Sequence, residues 1–185
     1  RIIANPGAHA AYLGNLRAPW PCVVAPSPDG AEALFAINGS RAAQMSLADL
    51  AGGKARPLPR SPWLGRVLSI DRGRTERRWL VVTQKSPATN PLSEVQLVSA
   101  DGVRLRIGAP GTYLAAWFDH TGRKALAILG DKLPEAPRAS RQPLPAPEGK
   151  LVALDLKTGA SRPVCGRVRG YVRSTAHGPA CGDKA

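Results

Sequence analysis

Ser27-Pro28-Asp29-Gly30 leads into the apolar run Ala33-Leu34-Phe35-Ala36-Ile37, and Asn38-Gly39 follows. Gln44-Met45-Ser46-Leu47-Ala48-Asp49-Leu50 comes next, closed by Gly52-Gly53-Lys54-Ala55-Arg56-Pro57-Leu58. The same order returns twice. A second copy has Asp71-Arg72-Gly73, Trp79-Leu80-Val81-Val82-Thr83, Val95-Gln96-Leu97-Val98-Ser99-Ala100-Asp101-Gly102 and Arg104-Leu105-Arg106-Ile107. A third has Asp119-His120-Thr121-Gly122, Ala125-Leu126-Ala127-Ile128-Leu129, then, after an insertion, Leu151-Val152-Ala153-Leu154-Asp155-Leu156-Lys157-Thr158-Gly159 and Ser161-Arg162-Pro163-Val164. Each apolar run has strand length, and the Asp-Gly and Thr-Gly pairs suit tight turns, because Gly accepts positive φ and Asp bonds its own backbone. Four short strands per unit of about 40–50 residues is the pattern of a propeller blade. The expected fold is therefore all-β, with about three four-stranded antiparallel blades that do not close a ring of 4–8 blades; a β-sandwich is the alternative.

Ser27-Pro28-Asp29-Gly30 followed by Asp49-Leu50 and Leu58 resembles the WD40-like (PD40-type) repeat of bacterial TolB-type β-propellers, a repeat also used in the propeller domain of prolyl-oligopeptidase-type peptidases. The resemblance covers about residues 20–165 and is best in the first copy; the second lacks the Pro before its turn. It implies a fold and carries no catalytic residue. The innermost strands are expected near Cys22–Pro26, Leu64–Ile70 and Tyr113–Phe118, with a fourth at Val168–Ser174. The chain divides into an N-terminal arm (1–18), blades at 19–60, 61–110 and 111–165, and a C-terminal segment (166–185). Arg1 in place of Met points to a processed form or an excised piece.

With 185 residues the chain has the length of one domain, and 43% hydrophobic with 21% charged residues is ordinary globular composition. Gly (19) and Pro (18) argue against a helical bundle. The uncharged stretch Ile107–Phe118 is too short for a membrane-spanning helix of about 20 residues. The net charge of +13 attracts anions, although an Arg-, Ala-, Gly- and Pro-rich composition also fits a GC-rich bacterial genome. In the blade arrangement Lys54, Arg72, Arg74, Arg123, Lys124 and Lys157 fall in turns on one face, a basic surface for an anionic partner; Arg56, Arg77, Arg78, Arg104 and Arg162 flank it. Exposed turns are charged in any case. Aromatic residues make up 5%, so base stacking lacks its usual means.

Two long loops are expected on the other face, Lys85–Leu92 and Gly130–Gly149. The second contains Pro134, Pro137, Pro143 and Pro145 and reads either as a recognition arm or as a tolerated insertion. Trp20, Trp63, Trp79 and Trp117 lie in or beside strands and belong to the core. Asn38-Gly39-Ser40 is a hairpin turn that also matches a glycosylation acceptor.

Cys165 and Cys181 are spaced for a disulfide, closing a loop of roughly 15 residues, which places the protein in the periplasm or outside the cell; the alternative is free thiols, and Cys22 is left over. There is no zinc spacing, no Gly-x-Ser-x-Gly elbow and no phosphate cradle. No cofactor, metal or catalytic residue is nominated. The leading expectation is a non-catalytic scaffold or binding subunit that docks a partner chain or a second copy of itself. The alternatives are a propeller segment gating a larger serine-peptidase-like hydrolase, and a binder of nucleic acid or another anionic polymer.

Overall fold

A computed structural model describes residues 22–27, 29–38, 42–59, 63–73, 77–86, 90–132, 148–169, 174–175 and 178–179. They form three four-stranded antiparallel sheets in chain order. The first sheet runs β1 (Cys22–Pro26), β2 (Glu32–Asn38), β3 (Ala42–Asp49), β4 (Lys54–Pro57), and a short β5 (Trp63–Leu64) pairs with the other end of β3. The second runs β6 (Arg66–Arg72), β7 (Arg78–Ser86), β8 (Asn90–Ser99), β9 (Arg104–Gly111). The third runs β10 (Tyr113–Phe118), β11 (Lys124–Leu129), β12 (Glu148–Asp155), β13 (Ser161–Arg169). A separate pair, β14 (Ser174–Thr175) and β15 (Gly178–Pro179), follows.

The first strands lie side by side, β1 against β6 and β6 against β10. The sheets stack face to face like blades, and the ring is not closed. A sandwich would need two sheets around one core, whereas here the middle sheet is covered on both faces. That is why β7 reads as a continuous apolar run. Trp79 and Val81 pack with Leu34, Ala36, Met45 and Leu47 of the first sheet. Leu80 and Val82 pack with Ala116, Phe118, Ala127, Val152 and Leu154 of the third.

Two expectations change. The Lys85–Leu92 loop is largely strand: β7 continues to Ser86 and β8 starts at Asn90, with Ser86 in register with Asn90. Pro91 is accommodated near the start of β8. Val168 and Arg169, expected to begin a fourth innermost strand, instead end β13, paired with Gly149 and Glu148. The N-terminal arm and most of the Gly130–Gly149 insertion lie outside the described residues.

An innermost strand has one edge without a strand neighbour, and its backbone groups still need partners. Side chains of the preceding blade supply them. The Asn38 amide accepts from the Val67 N–H at 2.7 Å and donates to the Val67 carbonyl at 2.8 Å. The Ser69 hydroxyl accepts from the Ala116 N–H at 3.2 Å, and the Asp71 carboxylate accepts from the Phe118 N–H at 2.8 Å. Register shifts fall at Val67/Ser69 and Tyr113/Ala115, beside the bonded positions. Asn38 is therefore the last residue of β2, only 1% exposed and engaged at both ends of its amide, which leaves no room for a glycan.

Close approach fixes one turn as well. Gly102 has φ +79, and a Cβ there would strike the backbone carbonyl of Pro59 in the link after the first sheet. Gly102→Ala is expected to lose about 2 kcal/mol or more, from the left-handed backbone and the clash together. Asn38→Ala leaves a buried N–H and a buried carbonyl unpartnered and is expected to cost about 3 kcal/mol. For a chain of this size that is a drop of roughly 10 °C in Tm by calorimetry. An Asn38→Ala protein that melts like the parent would show that the bond does not hold the blades together.

Candidate functional site

The turns β1–β2, β3–β4, β6–β7, β8–β9, β10–β11 and β12–β13 gather at one end of the blades, as antiparallel order requires. Of the six turn cations expected to form a basic surface, Lys54, Arg123, Lys124 and Lys157 are exposed there. Arg74 lies outside the described residues. Arg72 is held within the fold: its guanidinium pairs with Glu32 at 2.9 Å and lies 5.1 Å from the centre of the Trp79 ring. Exposed Arg77 reaches the other oxygen of Glu32. This Arg72–Glu32–Arg77 group joins the first blade to the second.

The same end collects acids. Asp29, Glu32, Asp49, Asp71, Asp101, Asp119 and Asp155 all stand there, seven of the 13 carboxylates of the chain. Five of them shape turns. Asp29 accepts from the Ala31 N–H, Asp49 from Ala51 and Gly52, Asp101 from Val103, Asp119 from Arg123 and Lys124, and Asp155 from Lys157 and Thr158. The turn end is thus mixed in charge, because the residue that makes these turns is an acid. The hydroxyl of Ser27, then the Ala31 N–H, hold the Asp29 carboxyl below its ordinary range. The Thr158 N–H and hydroxyl, then the Lys157 N–H, do the same for Asp155, with the charge of Lys124 adding to it.

The cations stand clearer on the outer strands. Lys54 and Arg56 lie on β4, Arg104 and Arg106 on β9, and Arg162, Arg167 and Arg169 on β13, all exposed. Each outer strand also carries a proline: Pro57, Pro110 and Pro163. Cations and Pro on an edge strand discourage pairing with another edge. Arg167 pairs with Glu148 at 2.6 Å, while Arg106 stands 3.7 Å from Glu94.

Cys165 is half-buried on β13. Cys181 and the prolines Pro134, Pro137, Pro143 and Pro145 lie outside the described residues, as does the side chain of Cys22. Trp79 and Trp117 are core. Among the described residues there is no cluster of His, Cys, Asp and Glu that could hold a metal, and no helix long and apolar enough to cross a membrane.

No family model matches the chain, and no curated protein sequence matches it. Solved structures do. A TolB-type protein from Agrobacterium tumefaciens superposes with a TM-score of 0.56 at 18% identity, over 81% of this chain and 50% of that one. TolB from Acinetobacter baumannii gives 0.52 at 14% identity, over 76% and 31%. The propeller domain of the trilobed protease from Pyrococcus furiosus, with its open velcro topology, gives 0.50 at 12% identity, over 78% and 42%. The fold is a row of TolB-like propeller blades. The chain spans 31% and 50% of the two TolB-type structures.

The turn acids of the TolB-like blades set a pH dependence. Asp29 and Asp155 titrate lower when folded than when unfolded. Their contribution to stability is complete above the unfolded pKa of about 4 and is lost as pH falls through the lower folded values. Asp29→Asn and Asp155→Asn are expected to lower Tm at neutral pH and to flatten its fall below about pH 4. An acid limb unchanged in both variants would assign it to other carboxylates.

Proposed function

We propose that these blades form a non-catalytic docking module that binds a further polypeptide at the open end of the row. The carrying observation is the face of the first sheet turned away from the second. Val24, Phe35, Ser46 and Pro57 form one row across it; Pro26, Ala33, Ala48 and Ala55 form the next. None of these is charged. Val24 is 46% exposed, Pro26, Ala55 and Pro57 are exposed, Phe35, Ile37 and Ala48 are half-buried, and Ala33 and Ser46 at the middle of the face are buried. In a chain with a net charge of +13, an uncharged sheet face suits a protein partner better than an anion. Within the chain, apolar sheet faces of this kind pack against one another in the two inter-sheet cores, and the proposal extends that packing to a partner. A second copy of the chain or a different protein can supply it.

The proposal includes a disulfide between Cys165 and Cys181, on their spacing in the sequence, and with it a periplasmic or secreted setting, where such a bond persists. The likeness to protease propeller domains keeps a second reading in view, a propeller segment beside a hydrolase domain. The mixed charge of the turn end weighs against a third, binding of an anionic polymer through the turns.

Native mass spectrometry on protein from its own source tests this, with and without reductant. The expected result is a homodimer or a complex with a second polypeptide. A larger hydrolytic partner moves the gating reading ahead, and a lone monomer overturns docking. Peptide mapping without reductant is expected to recover Cys165 and Cys181 in one linked fragment.

A further inference from the structure

Beyond the docking face described above, we propose that β9 is a strand-addition site for an extended peptide in which acidic and apolar residues alternate. The residues that carry it are Val103, Arg104, Leu105 and Arg106, all exposed. β9 is the last strand of the second sheet, so its outer edge has no strand partner among the described strands. The large apolar side chains most exposed among the described residues are Val24, Leu92, Val103 and Leu105. Two of the four fall on this one short stretch, at 45% and 56%.

The cross-strand register sorts the stretch into two sides. Leu105 pairs with Leu97, itself paired with Leu80, on the side facing the third sheet. Arg104 pairs with Val98 and Arg106 with Gln96, on the side of Trp79 and Val81, facing the first sheet. On that first sheet, Lys54 pairs with Asp49 and Arg56 with Leu47, which puts both cations on the face turned toward the second. The outer opening between the first two blades is therefore lined by Lys54, Arg56, Arg104 and Arg106. The opening between the second and third presents Val103 and Leu105, both exposed, and further along β9 Gly108 meets Gly159 in the last turn of the third blade. A fifth strand on β9 would direct alternate side chains into these two openings. Carboxylates fit one side and aliphatic groups the other, while main-chain hydrogen bonds to the edge supply the common affinity.

The other outer edges are poorer hosts. β4 has only three residues before Pro57, and β13 has Pro163 at its third position with register shifts on its partner at Lys150/Leu151 and Leu151/Val152. In β9 the regular ladder covers Arg104–Ile107, ahead of the left-handed Gly108, the register shift at Ser93/Val95 and Pro110. Glu94, at 3.7 Å from Arg106, is a loose partner that a peptide carboxylate can displace.

A labelled peptide of alternating Glu and Val tests the site on the full chain by fluorescence anisotropy. Controls are the same composition in scrambled order, alternating Lys and Val, and single-stranded DNA. The alternating acidic peptide is expected to bind, with all three controls at least about tenfold weaker. The variant R104E/R106E is expected to lose about tenfold or more, and Leu105→Thr, which puts a polar but strand-favouring β-branched residue in its place, several-fold. Amides of β9 gain protection from hydrogen exchange on binding. Equal binding of the scrambled peptide or of DNA overturns the proposal, since charge alone then explains it. Unchanged affinity in both variants overturns it too. If the peptide fails while the native assembly keeps a protein partner, docking stands and β9 is the wrong surface. If the native protein is a lone monomer, docking falls and the peptide result judges β9 alone.

Discussion

A β-strand at a sheet edge has main-chain donors and acceptors without strand partners, and every blade here has two such edges. The inner edges lie where the blades meet, so their groups need protein partners. Asn38 serves Val67, Ser69 serves Ala116 and Asp71 serves Phe118. Each blade thus completes the backbone bonding of the next through polar side chains on its own strands. Apolar stacking makes the blades adhere. The side-chain bonds set their register, because shifting a blade by one residue would strand several buried polar groups at once.

The outer edges face water, so their groups need no protein partner but do need protection from chance pairing. Lys54, Arg56, Arg162 and Arg169, with Pro57 and Pro163, give that protection on β4 and β13. On β9 the proline stands late and the cations alternate with Val103 and Leu105. The same alternation that repels a neutral or basic strand would welcome an acidic one. Protection from chance pairing and specific recognition are thus two outcomes of one pattern, decided by the partner's charge.

Much of the fold was legible because its signals are local. Two innermost strands, Cys22–Pro26 and Tyr113–Phe118, and the Asp-bearing turns follow from alternation and turn chemistry over a few residues. The Lys85–Leu92 stretch reads as loop because Pro91 suggests a break; tolerance of a Pro depends on where in the ladder it falls, which composition does not show. Val168-Arg169 reads as the start of a further strand because a strand's allegiance, to its own sheet or the next, is a long-range fact. The candidate surface was harder still. Arg72 looked like any turn cation, and only the fold brings Glu32, 40 positions away in sequence, against it. Val103-Arg104-Leu105-Arg106 is a plain period-two pattern; that both of its sides are exposed follows from β9 being outermost.

The acids of the turn end bear on what net charge can say. A surplus of 13 positive charges does not make any one face positive. Turn geometry draws Asp to one end, because its carboxylate closes the turn on backbone N–H groups. Cations are thereby balanced at the turns and left in excess on the outer strands, where no structural rule demands an acid. The side of a blade protein able to read an anionic group is then its circumference. A carboxylate held there on an extended chain also meets main-chain donors and an apolar strip, which a free anion or a phosphate backbone cannot use.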